Sequence, residues 1–101
     1  METNTFKGWT NKETWFYSLD LFNDDVSYSY WNHKAYLLAK HLDAVNILAK
    51  EMKEYALSEA KEAPCNLIED LITHSIDQID FEELAEELLN RVSNNNLVVL
   101  H

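Results

Sequence analysis

Gly8-Trp9-Thr10-Asn11-Lys12-Glu13-Thr14-Trp15 is the stretch on which the reading of the fold turns. Gly8 is the single glycine of the chain, and it permits a turn that other residues resist. Thr10 and Glu13 have the spacing of a capping box: the threonine oxygen accepts from the Glu13 amide, and the Glu13 carboxylate accepts from the Thr10 amide. On that reading Thr10→Ala costs about 0.5–2 kcal/mol of stability and leaves a binding surface intact. Trp9 and Trp15 bracket the helix start and are expected to clamp the first helix to the rest, with Phe6 as a further anchor. The segment marks where a helical fold begins; it does not announce a reaction.

Working outward, the first helix is predicted over 11–23. Trp15, Leu19 and Phe22 fall at i, i+4 and i+7, with Phe16 widening the stripe. Asn23-Asp24-Asp25 ends it, because acids oppose the dipole at a helix C-terminus. A second helix starts at Ser27 or Ser29, with Trp31, Ala35, Leu38, Ala39 and Leu42 inside. A break at 41–43 lets Asp43 cap a third helix, with Val45, Leu48, Ala49, Met52 and Ala56 inside; the alternative is one fused rod. The third helix ends by Ala63, since the residue before Pro64 is pushed out of helical geometry. Asn66 and Glu69 open a fourth helix, whose stripe of Leu67, Ile68, Leu71, Ile72, Ser75, Ile76 and Ile79 is expected to face the core. Asp80 and Glu83 repeat the cap logic for a fifth, with Phe81, Leu84, Ala85, Leu88, Leu89 and Val92 inside. Ser93-Asn94-Asn95-Asn96 is read as its stop. The apolar end, Leu97 to His101, is read as a tail over the core, a short C-terminal strand or a docking segment.

Composition agrees with an all-α reading. One Gly and one Pro in 101 residues leave little for the tight hairpins of a many-stranded fold. The length suits one domain, residues 1–101, built as a small bundle of four to five short helices. No apolar run approaches the roughly 20 residues of a membrane span, and the N-terminus lacks the pattern of a secretory signal; a cytoplasmic location is expected. Cys65 is the one cysteine and is read as a small buried or half-buried thiol.

Charge narrows the choice of partners. The chain carries 18 Asp and Glu against 8 Lys and Arg, a formal net charge of −10. Nearly all the excess lies in the second half, where residues 51–101 hold twelve acids and three bases. Direct contact with nucleic acid or anionic lipid is disfavoured, since both are bound mainly through Lys and Arg. Basic protein surfaces are the natural partners. Asp77, Asp80, Glu82, Glu83, Glu86 and Glu87 run without an intervening base, and Glu82/Glu86 and Glu83/Glu87 are i, i+4 neighbours. Such a row is either a solvated outer face or a nucleic-acid mimic that occupies a positive channel; Glu69 and Asp70 could extend it.

Other chemistries lack a signature. His33, His41, His74 and His101 show no metal-binding spacing, the acids form no calcium loop, and no phosphate loop or nucleophile elbow is present. No catalytic residue, metal or cofactor is expected. Ten of the twelve aromatics lie between Phe6 and Tyr36 and read as a mini-core between the first two helices. Tyr17, Tyr28 and Tyr30 are expected to stay at the surface as secondary interface candidates.

The chain resembles a group of small, uncharacterised proteins carried by bacterial and archaeal viruses and other mobile elements. Their pattern, Gly-Trp-x-Asn-x-Glu-Thr-Trp followed by an apolar helix and an Asn-Asp stop, is matched by Gly8 to Trp15, then Leu19, Leu21, Asn23 and Asp24. The likeness continues at Tyr30-Trp31, through Asn66 to Ile72, and through Ile79 to Leu89, where Phe81 stands in place of the usual Trp. The resemblance implies a phage or mobile-element origin and an inhibitor of host defence, anti-CRISPR proteins among them; it supplies no catalytic residue. The leading expectation is therefore a non-enzymatic inhibitor whose acidic residues, Glu69, Asp70, Asp77, Asp80, Glu82, Glu83, Glu86 and Glu87, bind a basic nucleic-acid-binding surface of a host defence protein. The alternatives are an interaction or adaptor module using the tyrosines or the apolar tail, homodimerisation through that tail included, and a small nucleotide-handling enzyme.

Overall fold

Five helices account for most of the chain: α1 (Lys12–Asn23), α2 (Asp25–Leu38), α3 (Ala44–Ala60), α4 (Asn66–Gln78) and α5 (Phe81–Val99). The computed structural model describes residues 6–99, and side chains through Ser93. The all-α expectation holds. Among the described residues, the one β-type pairing outside the helices is the Phe6–Trp9 bridge. It closes a turn in which Lys7 and Gly8 both have positive φ, 50° and 90°. Two positive angles mark a type I′ turn, and this is where the single glycine is required.

The helix starts shift from their expected residues for local reasons. Asn11, not Thr10, caps α1, its side chain accepting from the Thr14 N–H at 2.8 Å; asparagine is the stronger cap, and Thr10 is drawn elsewhere. Asp24 caps α2 in place of Ser27 or Ser29, accepting from the Ser27 N–H at 2.9 Å. That bond first, and the Ser27 hydroxyl second, hold the Asp24 carboxyl below its ordinary range. The expected break occurs, with α2 ending at Leu38 and α3 starting at Ala44. Leu42, expected inside, lies fully exposed in that break. After Ala60 a tightened turn carries the chain through Ala63 to Pro64. Cys65 is exposed at the start of α4 rather than buried. Asp80 caps α5 as expected, accepting from the Glu83 N–H at 3.1 Å. The stop at Ser93–Asn96 does not occur: α5 continues to Val99, since asparagine is a weak helix former, not a breaker like proline. Residues 97–99 are thus helical rather than a strand, and Leu100 and His101 lie outside the described residues.

The core is centred on α5. Phe81, Leu84, Ala85, Leu88 and Val92 are buried and meet Leu48, Ala49, Met52 and Ala56 of α3 and Trp31 and Ala35 of α2. These inner faces of α3 and α5 are the expected ones, and the α2 face agrees at Trp31 and Ala35. α1 is rotated: its buried residues are Thr14, Ser18 and Leu21, while Leu19 and Phe16 are exposed. Ser18 is satisfied by donating to the Trp15 carbonyl at 2.6 Å, so its burial leaves no orphan group. α4 departs furthest. Only Ile76 of its stripe is buried, because α4 lies against α1 and α3 while α5 fills the core.

Candidate functional site

The N-terminal motif and the start of the acidic helix are one structural unit. Thr14 is fully buried; its hydroxyl donates to Asn11 Oδ1 at 2.6 Å and accepts from the Asp80 N–H at 2.8 Å. Asn11 Nδ2 donates to the Gln78 carbonyl at 2.6 Å. The Thr10 N–H donates to Glu83 Oε1 at 3.0 Å, and the Thr10 hydroxyl to Asp80 Oδ2 at 3.4 Å. In a self-contained capping box Glu83 would reach back to the Asp80 N–H. Here Thr14 takes that N–H and Glu83 serves Thr10, so the N-termini of α1 and α5 cap each other across the fold. Sequence spacing pointed to these residue types but could not show the exchange of partners.

This interlock divides the eight expected binding acids. Asp80 and Glu83 are committed inside the fold. Glu87 pairs with Arg91 at 2.9 Å, and Asp77 lies 3.8 Å from Lys53. Glu82 and Glu86 are exposed on α5, and Asp70 on α4, with Glu69 half-buried. Glu82 also borders a shallow cleft lined by Lys50 and Lys53. The six-acid run is therefore two exposed carboxylates on α5 flanked by engaged ones, not an uninterrupted ridge.

The tyrosines part company too. Tyr30 is exposed as expected. Tyr28 is half-buried against Phe22, with the Arg91 guanidinium 4.0 Å from the Phe22 ring centre and 5.9 Å from that of Tyr28. Tyr17 packs edge-on to Phe81, ring centres 5.5 Å apart. Burial first, then Glu59 and Asp20, push its hydroxyl up to about 12. Trp9 stacks on Phe22 and packs against the core, while Phe6 meets Trp15 edge-on with Lys7 over the Trp15 ring; the expected clamp of α1 to the rest is therefore made by Trp9, and Trp15 ties the N-terminal turn to α1.

Sequence reading missed an open groove between α1, α3 and α4. Its volume is about 590 Å³, and Phe16, Tyr17, Ala56, Ala60, Leu71, Ile72, Ile76 and Ile79 give it an apolar lining with Glu13, Asp20 and Glu59 alongside. The signal was present: α4 carries the cleanest apolar stripe in a chain too short for a second core. Among the described residues no three His, Cys, Asp or Glu side chains come close enough to hold a metal ion, and no helix is long and apolar enough to cross a membrane. Comparison with family models, curated proteins and solved structures gave no match.

Proposed function

We propose that this chain is a non-enzymatic binding protein whose acidic surface docks on a Lys/Arg-lined protein surface. Following the resemblance of Gly8–Trp15 and later segments to viral and mobile-element proteins, the partner is a host defence nuclease or its complex, engaged where it would hold nucleic acid. The observation that carries this reading is the charge: −10 overall, with Asp70, Glu82 and Glu86 exposed and, among the described residues, Lys34, Lys53 and Arg91 already paired to acids. An excess of unpaired carboxylates repels polyanions and steers the chain toward cationic surfaces.

The test is affinity capture from host lysate with mass spectrometry, followed by binding to the purified partner. Affinity should fall as salt rises from about 0.1 M to about 1 M, where the screening length shrinks from about 10 Å to about 3 Å. E82K/E86K should abolish capture while keeping the helical spectrum, because both side chains are exposed and neither holds the α1–α5 interlock. Salt-independent capture that survives this double change would end the electrostatic reading. Asp80 and Glu83 are unsuitable for the test, because their loss also unties the N-terminus.

A further inference from the structure

α4 exposes an apolar face that the fold itself does not use. Leu67 and Leu71 are 69% and 60% exposed, Ile68 and Ile72 39% each, and Phe16 across the groove 56%. Contiguous apolar surface rimmed by polar groups marks an interaction site more often than an accident of folding. Three carboxylates, Glu13, Asp20 and Glu59, line the groove, and no Lys or Arg does.

These features select an occupant. It must present an apolar side to Leu71, Ile72 and Phe16 and positive charge to the rim. The 13 residues of α4 make a wall about 20 Å long, which suits a helix of similar length laid alongside. A second copy of this chain is disfavoured, because two acidic rims on molecules of charge −10 would face each other. We propose that the α1–α3–α4 groove receives a basic amphipathic helix of a protein partner, its apolar residues seated between α1 and α4 and its Lys/Arg flanks against Glu13, Asp20 and Glu59. This site lies apart from Glu82 and Glu86 and stands whether or not they bind anything.

The test uses the full chain and a fluorescein-labelled Leu/Lys peptide of about 18 residues with leucines at i, i+3, i+4 and i+7. A scrambled peptide of the same composition and a Leu/Glu version serve as controls. The amphipathic Leu/Lys peptide should bind at least about tenfold tighter than either control, shifting amide resonances of Phe16, Leu71 and Ile72. L71Q/I72Q should lose at least about tenfold in affinity with its helical spectrum unchanged; Phe16→Gln is the second variant should that one misfold. E82K/E86K should bind the peptide like the unaltered chain, which separates this site from the α5 surface. Equal binding of the scrambled peptide, or shifts confined to α5, would overturn the inference. So would a dimer of the free chain that L71Q/I72Q dissolves.

Discussion

Thr10, Asn11 and Thr14 sit within five positions of one another, yet they should respond very differently to substitution. Thr10→Ala keeps the backbone N–H that meets Glu83 and loses only a long 3.4 Å hydroxyl contact, so its cost should stay below about 0.5 kcal/mol. Asn11→Ala removes the α1 cap and the bond to Gln78 and should cost about 0.5–2 kcal/mol. Thr14→Val keeps the shape and the backbone bond to Asn11 but takes away the hydroxyl donor to the Asn11 oxygen and leaves the Asp80 N–H without its acceptor; about 1–3 kcal/mol is expected. Urea unfolding of the three variants with a constant m-value checks the order, and a Thr10→Ala loss as large as that of Thr14→Val would contradict the interlock. Tyr17 gives a separate test by pH. Its folded-state value of about 12 lies above the ordinary 10.0, so the folded chain holds this proton more tightly than the unfolded one. The associated stability is present below pH 10 and is lost as pH rises through 12. Tyrosinate absorbance should show one tyrosine, absent from the Tyr17→Phe variant, ionising well above the ordinary 10.0, and Tyr17→Phe should shrink the alkaline loss of stability.

At the scale of elements, α4 and α5 both display clean apolar periodicity but use it in opposite ways. Leu84 and Leu88 of α5 are fully buried, so either one changed to Ala should cost about 2–5 kcal/mol. Leu71→Gln and Ile72→Gln on α4 should each stay within about 0.5 kcal/mol of the unaltered chain, since both side chains already meet solvent. Thermal unfolding of the four variants distinguishes the two helices; a Leu71 loss matching that of Leu84 would mean that the groove is closed in solution. This contrast also explains what the sequence could reveal. Periodicity identifies a helix and its apolar face, which is why the five helices, the break before Ala44 and the inner faces of α3 and α5 were legible. It cannot say what covers that face, so the α4 stripe read as core. Caps were legible to within a few residues, because Thr10 and Asn11 are both competent and only the distant Glu83 and Asp80 decide between them. Burial of Thr14 was out of reach for the same reason: its partner, the Asp80 N–H, is 66 residues away. The acidic run was legible as composition, but its division into engaged and exposed carboxylates depends on the tertiary position of Thr10 and on Arg91 and Lys53.

For the whole molecule, the charge proposed to serve binding works against folding. A chain at −10 repels itself when compact, and the acids of α4 and α5 concentrate that repulsion. The engaged bases relieve only part of it: Lys34 lies 2.6 Å from Glu51 across α2 and α3, the Arg91–Glu87 pair is half-buried like it, and the Lys53–Asp77 pair is exposed; pairs that reach solvent in this way each contribute little. Added salt should therefore act on the free protein and on its proposed complex with opposite signs. Screening reduces self-repulsion, so the melting temperature of the isolated chain should rise between about 0.1 M and about 1 M sodium chloride, whereas affinity for a basic surface falls over the same range. E82K/E86K, which moves the formal charge from −10 to −6, should gain less melting temperature from added salt than the unaltered chain. A calorimetric salt series on both proteins makes the comparison. Equal salt gains in the two would mean that the α5 carboxylates do not contribute to the repulsion and that salt stabilises the fold by another route. A smaller gain in the variant, together with its loss of partner capture, would tie stability and recognition to the same pair of exposed carboxylates.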